Sequence, residues 1–566
     1  MRFENDSNRT AWILLVFVIC ALVLVGRLFF CSVIQAPEYS AIAEDIRKVD
    51  LVDEPRRGTI YDRNGNVLAI SVDATTVYAN PSEIKDIDAT VAALVECLGG
   101  DEDAEEAYRA SLMGPGINFS YVKRKADVND AQKLEEKNLP GIYFLEDTRR
   151  EYPYGQVAGQ IIGCCSIEAD PEANREYYKG LCGLEQQYDS ILSGTPGRYA
   201  AERGADGTPI AGGVKEDTPA VDGQDIVISI DVELQQAAEE RLLAGVEQMG
   251  GSSGTAVVMD GATGELYACA SLPLFNPADR SEIEEGATQL KAASYLFEPG
   301  SVFKTVSMMS ALESGAYGPD DQVFCPATIE ADGYQVSDAH ERGDATFTVR
   351  QILDQSSNVG ISLITEKAGF DTLNDSIRRY GFDKLTGVDY PGEQLGYLLD
   401  FDQWSHIAGW NIAFGQGISV NALQVTRFFG ALVNEGTACT PHFLVSLPQS
   451  GEQPQYATED IVENDEALPT IQSMLQTVVS DGTGKMAAID GFEVAGKTST
   501  AEIYDEENGG YRKGVYTLCF SGFLANSSSQ LVCFVSANEV PGEGTVTHIF
   551  RDIMTTAIDR FNITPE

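Results

Sequence analysis

The second half of this 566-residue chain predicts an α+β fold, on three observations. A helix-like segment from Val232 to Met249 precedes the strand pattern Thr255-Ala256-Val257-Val258-Met259, which is closed by the turn Asp260-Gly261-Ala262-Thr263-Gly264. Two further strand patterns, Val515 to Leu524 and Leu531 to Ser536, lie near the C-terminus and lead into the helical pattern Thr547 to Phe561. Long helical stretches fill the interval. Strands at both ends of one unit, with helices between them, describe α+β architecture with a helical insert.

The elements before that unit follow in order. Residues 1–10 form a polar head with Arg2 and Arg9 set against Glu4 and Asp6. Residues 11–34 are an apolar run broken only at Gly26-Arg27, and about 20 apolar residues at 1.5 Å each span a hydrocarbon core. Arg27 can snorkel to an interface. No small-x-small cleavage pattern follows, so the run reads as an uncleaved signal anchor with its head inside and the rest of the chain outside. From 35 to 225 short strand-like runs alternate with turns, and Asn64-Gly65 between two apolar runs predicts a tight hairpin. Within that region, residues about 87–137, including Lys123-Arg124-Lys125, read as a helical, charged, inserted subdomain. A polar stretch from Glu216 to Asp225, with Pro219 and Gly223, marks a boundary, and 226–566 is the next unit.

With 39 Lys+Arg against 86 Asp+Glu the formal charge is -47, which repels phosphates and anionic headgroups and excludes a nucleic-acid role. Of 11 cysteines, Cys20 and Cys31 lie in the apolar run, and the remaining odd number cannot all pair internally. Most sit among apolar residues and read as small buried hydrophobes, with no disulfide framework. His340, His406, His442 and His548 lack ligand spacing, so no metal site is expected.

Three short motifs carry the chemistry: Ser301-Val302-Phe303-Lys304, Ser356-Ser357-Asn358 and Lys497-Thr498-Ser499. Singly they are weak. Ser120-Tyr121-Val122-Lys123 repeats the first pattern, and Ser419-Val420-Asn421 and Ser536-Ala537-Asn538 repeat the second. Context separates them. Pro299-Gly300 precedes Ser301, and the largely apolar run to Leu312, stopped by Gly315, predicts a buried helix that begins at the serine. An offset of three places Ser301 and Lys304 on one face, and a helix N-terminus offers free N–H groups to a developing oxyanion.

Serine needs a base, and Lys304 is the candidate because no His stands near these motifs. An ordinary lysine is neutral about 0.04% of the time at pH 7, so the site must lower its pKa by burial and by a second cation, for which Lys497 is the natural choice. Ser356 can relay a proton, and Asn358 can hold a substrate carbonyl or orient the lysine; a polar helix cap is the alternative reading of that motif. Gly491 to Thr498 also fits the Walker A pattern letter for letter. A phosphate loop needs a substantial helix after it, whereas Ser499 to Tyr504 reads as strand and Asp505 to Gly510 as turn.

In these residues, together with Arg57-Gly58, Asp62-Arg63-Asn64-Gly65, Arg150-Glu151-Tyr152-Pro153, Gly183-Leu184-Glu185, Phe414-Gly415-Gln416-Gly417 and Gly482-Thr483-Gly484, the chain resembles a class B penicillin-binding protein, a membrane-anchored peptidoglycan D,D-transpeptidase. The resemblance implies a β-rich elongated pedestal, the dimerisation domain, and a C-terminal domain of the β-lactamase/transpeptidase type, an antiparallel sheet flanked by helices plus a helical subdomain. It also implies roles. Ser301 would be the acylated nucleophile, Lys304 the base, Ser356 and Lys497 the proton route to the leaving amine and Asn358 a substrate holder. Thr498 and Thr500 would bind the substrate carboxylate, and the N–H groups of Ser301 and Thr500 would form the oxyanion hole.

The implied ligands are stem peptides of peptidoglycan, its lipid-linked precursor, and β-lactams as mimics, with no cofactor. No glycosyltransferase-like segment precedes the pedestal, so a polytopic membrane glycosyltransferase is the implied partner. The family's third motif usually ends in Gly; here Ser499 adds a side chain where the strand approaches the substrate. A β-lactam sensor, a β-lactamase on the same fold and a catalytically silent division scaffold are the alternatives.

Overall fold

The computed structural model describes residues 4–40, 48–113, 119–170, 175–203, 209–505, 509–542 and 544–566. Two compact units emerge, Met1–Arg56 with Ala169–Tyr177 and Gly194–Asp222, and Arg57–Glu168 with Tyr178–Ser193 and Gly223–Glu566.

The first unit holds the apolar run as a helix, Glu4–Phe29, continued by a π turn, Phe30–Ile34. The stretch Arg9–Ile34 is long and apolar enough to cross a membrane, and its large side chains are bare, Trp12 at 68% and Leu22 at 67% exposure. Such a surface is stable only against lipid or another apolar face, which fits membrane anchoring. The same unit carries a three-stranded antiparallel sheet in the order Lys48–Asp53, Gly197–Arg203, Pro209–Thr218.

The second unit is organised by a five-stranded, wholly antiparallel sheet in the order Leu266–Ser271, Ser253–Asp260, Leu531–Pro541, Tyr511–Ala525, Glu493–Tyr504. Period-2 alternation divides each strand between two cores. Ala256, Val258, Leu518, Phe520, Cys533 and Val535 face the helices Val232–Met249 and Thr547–Phe561, where Phe520 and Phe550 pack edge to face at 4.6 Å. Val257, Met259, Cys519, Val532 and Phe534 face the larger core that contains the helices Lys304–Glu313, Asn358–Ala368 and Ala422–Val433. Because both faces are covered, these strands read as nearly continuous apolar runs, and this is the α+β layering the sequence predicts.

Local chemistry explains the ends. Asp231 caps Val232–Met249 through Leu234 N–H, and Gly250, at φ +69°, ends it in the left-handed conformation that Gly adopts without penalty. Asn64-Gly65 does close a hairpin between Ile60–Tyr61 and Val67–Ala79. It occupies the last two positions of a turn in which Asp62 Oδ1 accepts the N–H groups of Asn64 and Asn66 at 2.8 Å each, and Gly65 N–H reaches Asp62 O at 3.1 Å.

Among its described residues the inserted segment contains three helices, Ile87–Leu98, Glu102–Ser111 and Val128–Glu135. Lys123-Arg124-Lys125 depart from the expected helix: they lie on the strand Ser120–Ala126, paired with Val67–Ala79. The aromatic and β-branched Tyr121-Val122 favour that state, and strand alternation puts Ser120 and Lys123 on opposite faces, which removes this decoy as a catalytic pair.

Within the second unit Arg57 Nε donates to Glu185 at 2.6 Å and Arg150 Nε donates to the other Glu185 oxygen at 2.7 Å. All three side chains are buried, and the two guanidinium groups together hold the Glu185 carboxyl below its usual range against the cost of burial.

Candidate active site

The three motifs come from three separate elements. Ser301 lies in a 3-10 turn, Gly300–Phe303, that runs directly into the buried helix Lys304–Glu313. In a 3-10 turn residues three apart eclipse, so Ser301 and Lys304 share one face. The turn is held from behind: Gly300 N–H donates to Gly415 O at 2.9 Å, Gly417 N–H to Glu298 Oε1 at 3.0 Å, and Phe297 bridges Val420. A Cβ on Gly415 would stand 2.1 Å from Gly300 O, so only glycine permits this approach.

Ser356 ends the helix Val349–Asp354 at φ +55°, a left-handed position uncommon outside glycine. That geometry aims both its carbonyl and its hydroxyl at the lysines. Lys304 Nζ donates to Ser356 O at 2.6 Å and to Asn358 Oδ1 at 2.7 Å, and lies 3.2 Å from Ser356 Oγ. Lys497 Nζ donates to Ser356 Oγ at 3.0 Å and to Thr498 O at 3.1 Å. One hydroxyl therefore stands between two amines.

Both lysines are shut from solvent, Lys304 at 1% and Lys497 at 0% exposure. Burial, reinforced by the Lys497 charge and opposed by Asp338, holds Lys304 well below the usual lysine range. Burial brings Lys497 down to about 7 against the pull of Asp354. A neutral lysine has two N–H donors and one lone pair. With Ser356 O and Asn358 Oδ1 taking the two donors, the lone pair of Lys304 is left for a hydroxyl.

Ser357 caps the helix Asn358–Ala368 through Gly360 N–H at 2.9 Å, so the second motif is helix cap and lysine holder at once. Asp338, which no sequence pattern singled out, anchors that cap. It accepts from Ser357 Oγ at 2.9 and 3.0 Å, from Val359 N–H at 3.0 Å and from Arg342 Nε at 2.5 Å, while Asn358 Nδ2 donates to the adjacent Ser337 O at 3.0 Å. Its remoteness from the motif, 19 residues before Ser357, hides it from any local reading.

Lys497, Thr498, Ser499 and Thr500 lie on the edge strand Glu493–Tyr504. Alternation sends Lys497 and Ser499 inward and Thr498 and Thr500 to the open side, where Thr498 Oγ1 meets Thr483 Oγ1 at 2.7 Å. Ser499 is thus placed differently from the expectation that its side chain faces substrate. Its hydroxyl donates to Pro299 O at 2.8 Å, on the turn that carries Ser301. Continuous strand through Gly496-Lys497-Thr498 also removes the Walker A reading, which requires a loop that opens a helix.

The repeat motifs are structural. Asn421 forms a capping box on Ala422–Val433, and Asn538 Nδ2 donates to Ser253 Oγ at 3.1 Å within the sheet. Among the described residues, no group of three or more His, Cys, Asp or Glu side chains could hold a metal.

Residues 254–555 match the family model described as the penicillin binding protein transpeptidase domain, and residues 52–228 match the penicillin-binding protein dimerisation domain. Penicillin-binding protein PbpB of Mycobacterium tuberculosis is 29% identical over 583 aligned residues, covering 97% of this chain and 84% of that protein. Peptidoglycan D,D-transpeptidase FtsI of Escherichia coli is 28% identical, covering 100% of this chain and 94% of that protein. The crystal structure of penicillin binding protein 3 from Mycobacterium tuberculosis complexed with aztreonam superposes with a TM-score of 0.69 at 25% identity, covering 91% of this chain and 98% of that one.

Proposed function

This chain belongs to the class B penicillin-binding protein transpeptidases, and on that premise we propose that Ser301, Lys304, Ser356, Asn358 and Lys497 perform its chemistry. The enzyme is a peptidoglycan D,D-transpeptidase and binds β-lactams. The observation that carries the residue assignment is the Ser356 hydroxyl, 3.2 Å from Lys304 Nζ and 3.0 Å from Lys497 Nζ, with both amines buried and lowered in pKa.

In acylation the neutral Lys304 amine takes the Ser301 proton and Ser301 Oγ attacks the carbonyl carbon of the penultimate D-Ala of a stem peptide. The N–H groups of Ser301 and Thr500 receive the oxyanion, and Thr498 and Thr500 hold the terminal carboxylate from the open side of the strand. As the amide bond breaks, a proton passes from Lys497 through Ser356 to the leaving nitrogen, and free D-Ala departs. The acceptor amine of a neighbouring stem then attacks the Ser301 ester, giving up its proton through Ser356 to Lys497 while Lys304 returns its proton to Ser301, which completes the cross-link and restores both lysines. A β-lactam enters by the same first step and has no leaving group that departs from the site.

The test is labelling with a fluorescent penicillin. Wild type should acquire one covalent label that persists for hours, and Ser301→Ala and Lys304→Met should acquire none. Equal labelling of Ser301→Ala would overturn the nucleophile, and rapid turnover of the label would favour a β-lactamase.

We further assign 1–10 to a cytoplasmic head, 35–225 to an extracytoplasmic pedestal with its insert, and 226–566 to the catalytic domain. Polymerised strands come from a polytopic membrane glycosyltransferase engaged through the anchor and pedestal. The bare apolar helix at Arg9–Ile34 supports that arrangement. Protease protection in right-side-out vesicles checks the orientation, and co-purification of a polytopic glycosyltransferase checks the partner.

A further inference from the structure

Outside the catalytic centre, two thiols among the described residues are in contact and have no part in the mechanism. Cys164 Sγ and Cys182 Sγ lie 3.7 Å apart beside Phe275 and Ala287. The backbone brings them together: Leu181 N–H donates to Cys164 O at 2.8 Å, and the flanking glycines, Gly163 at φ +75° and Gly183 at φ +63°, approach so closely that a Cβ on Gly183 would stand 2.6 Å from Gly163 Cα. Glycine at both positions is therefore a condition of the sulfur contact.

We propose that Cys164 and Cys182 are a reversible dithiol–disulfide site whose oxidant is a disulfide, either a small-molecule disulfide or that of a thiol–disulfide oxidoreductase. Closing from 3.7 Å to a bond of about 2.04 Å needs a side-chain adjustment of under about 2 Å, because the two chains are already adjacent. The pair is chemically asymmetric. Arg280 Nη1 lies 3.8 Å from Cys164 Sγ and donates to Cys165 O at 3.0 Å. The hydrogen bond from Cys182 and the Arg280 charge bring the Cys164 thiol down to about 7. Cys182 is the more accessible member, and Cys164 is buried.

The electrons balance as follows. The Cys164 thiolate attacks the oxidant, forming a mixed disulfide and expelling one thiolate. Cys182, whose thiol is raised chiefly by its hydrogen bond to the Cys164 sulfur and is released once that sulfur is bonded, then gives up its proton and attacks Cys164 Sγ, expelling the second thiolate. The protein loses two protons and two electrons, and one disulfide is reduced to two thiols. Cys165 is the neighbour that could compete. It stands apart electrostatically, because burial and the Glu185 carboxylate raise its thiol far above the usual cysteine range. The odd number of cysteines outside the apolar run forbids complete pairing but permits this one.

The experiment uses the full-length protein in detergent, exposed to excess oxidised glutathione and then denatured and alkylated. The thiol count should fall from 11 to nine, and the non-reduced peptide map should show a Cys164–Cys182 linkage that dithiothreitol removes. Cys182→Ser should show no internal linkage and should carry glutathione on Cys164 instead. Circular dichroism of the variant reports whether it is folded, and the wild-type map decides the matter even if it is not. All 11 thiols remaining free, a stable glutathione adduct on wild-type Cys164, or a linkage through Cys165 would each overturn the proposal. Because peptide mapping needs no acylation, its result is independent of the catalytic assignment.

Discussion

Replacement of Ser499 tests how the third motif is coupled to the nucleophile. Its hydroxyl is buried and donates to Pro299 O at 2.8 Å, two residues before Ser301. Ser499→Ala removes that bond, a net loss of about 1 kcal/mol, rising toward about 2 kcal/mol if the carbonyl finds no other donor. Ser499→Gly adds the conformational cost of glycine in a strand, about 0.5–1 kcal/mol. The two variants should therefore melt at successively lower temperatures. Catalysis should respond alike in both, because what the bond supplies is the position of the turn Gly300–Phe303 against the strand. If the full 1 kcal/mol is expressed in the acylation barrier, the rate falls about fivefold, and the upper figure of about 2 kcal/mol sets a ceiling of about thirtyfold. Second-order acylation constants for several β-lactams, measured by stopped flow or competition labelling, read this directly. Unchanged constants in both variants would show that Ser499 is merely a small residue that fits. A loss of about a thousandfold would show that the hydroxyl contacts the reacting group, contrary to its inward placement.

Other consequences follow from the same geometry. Lys497 has a folded pKa of about 7 against an ordinary 10.5, so between those values the unfolded chain binds more protons and stability rises with pH. At about 1.36 kcal/mol per unit the penalty is on the order of 5 kcal/mol at and below pH 7. Lys497→Met should abolish acylation yet melt higher than wild type, by a margin largest near pH 6 and shrinking toward pH 10; a constant margin would refute the linkage. Asp338→Asn keeps the shape of the side chain but removes the charge that opposes lowering of Lys304, so the acidic limb of the acylation pH profile should move to lower pH while the rate falls several-fold. An unshifted profile would mean that Asp338 serves only to hold the fold. Glu185→Gln leaves Arg150 as a buried, uncompensated cation while Arg57 keeps Asp189, at a cost of about 3–5 kcal/mol, to be read as a lower urea midpoint; no change would show that water reaches Arg150.

Local chemistry was legible from the chain alone where a signal and its structure occupy the same few residues. Val232–Met249 and Thr547–Phe561 have the helix bounds that their residue patterns predict. The strand after Gly496 excludes a phosphate loop for the reason its residues suggest. Lys123-Arg124-Lys125 misled because charge density resembles a helical surface, whereas pairing with Val67–Ala79 decides the matter.

What the sequence by itself determined is the set of residue types, their order and their local states: a serine at a helix start, a serine-asparagine pair at a helix cap, and a lysine on a strand. Only the tertiary structure decided that one hydroxyl lies between two buried lysines, that Ser499 turns toward Pro299 and not toward the cleft, and that Asp338 supports the middle motif. Pairings across 52 and 141 residues, such as Ser356 with Lys304 and with Lys497, depend on sheet register and helix packing. Those are settled by burial summed over the whole core, a quantity that no short window of sequence contains.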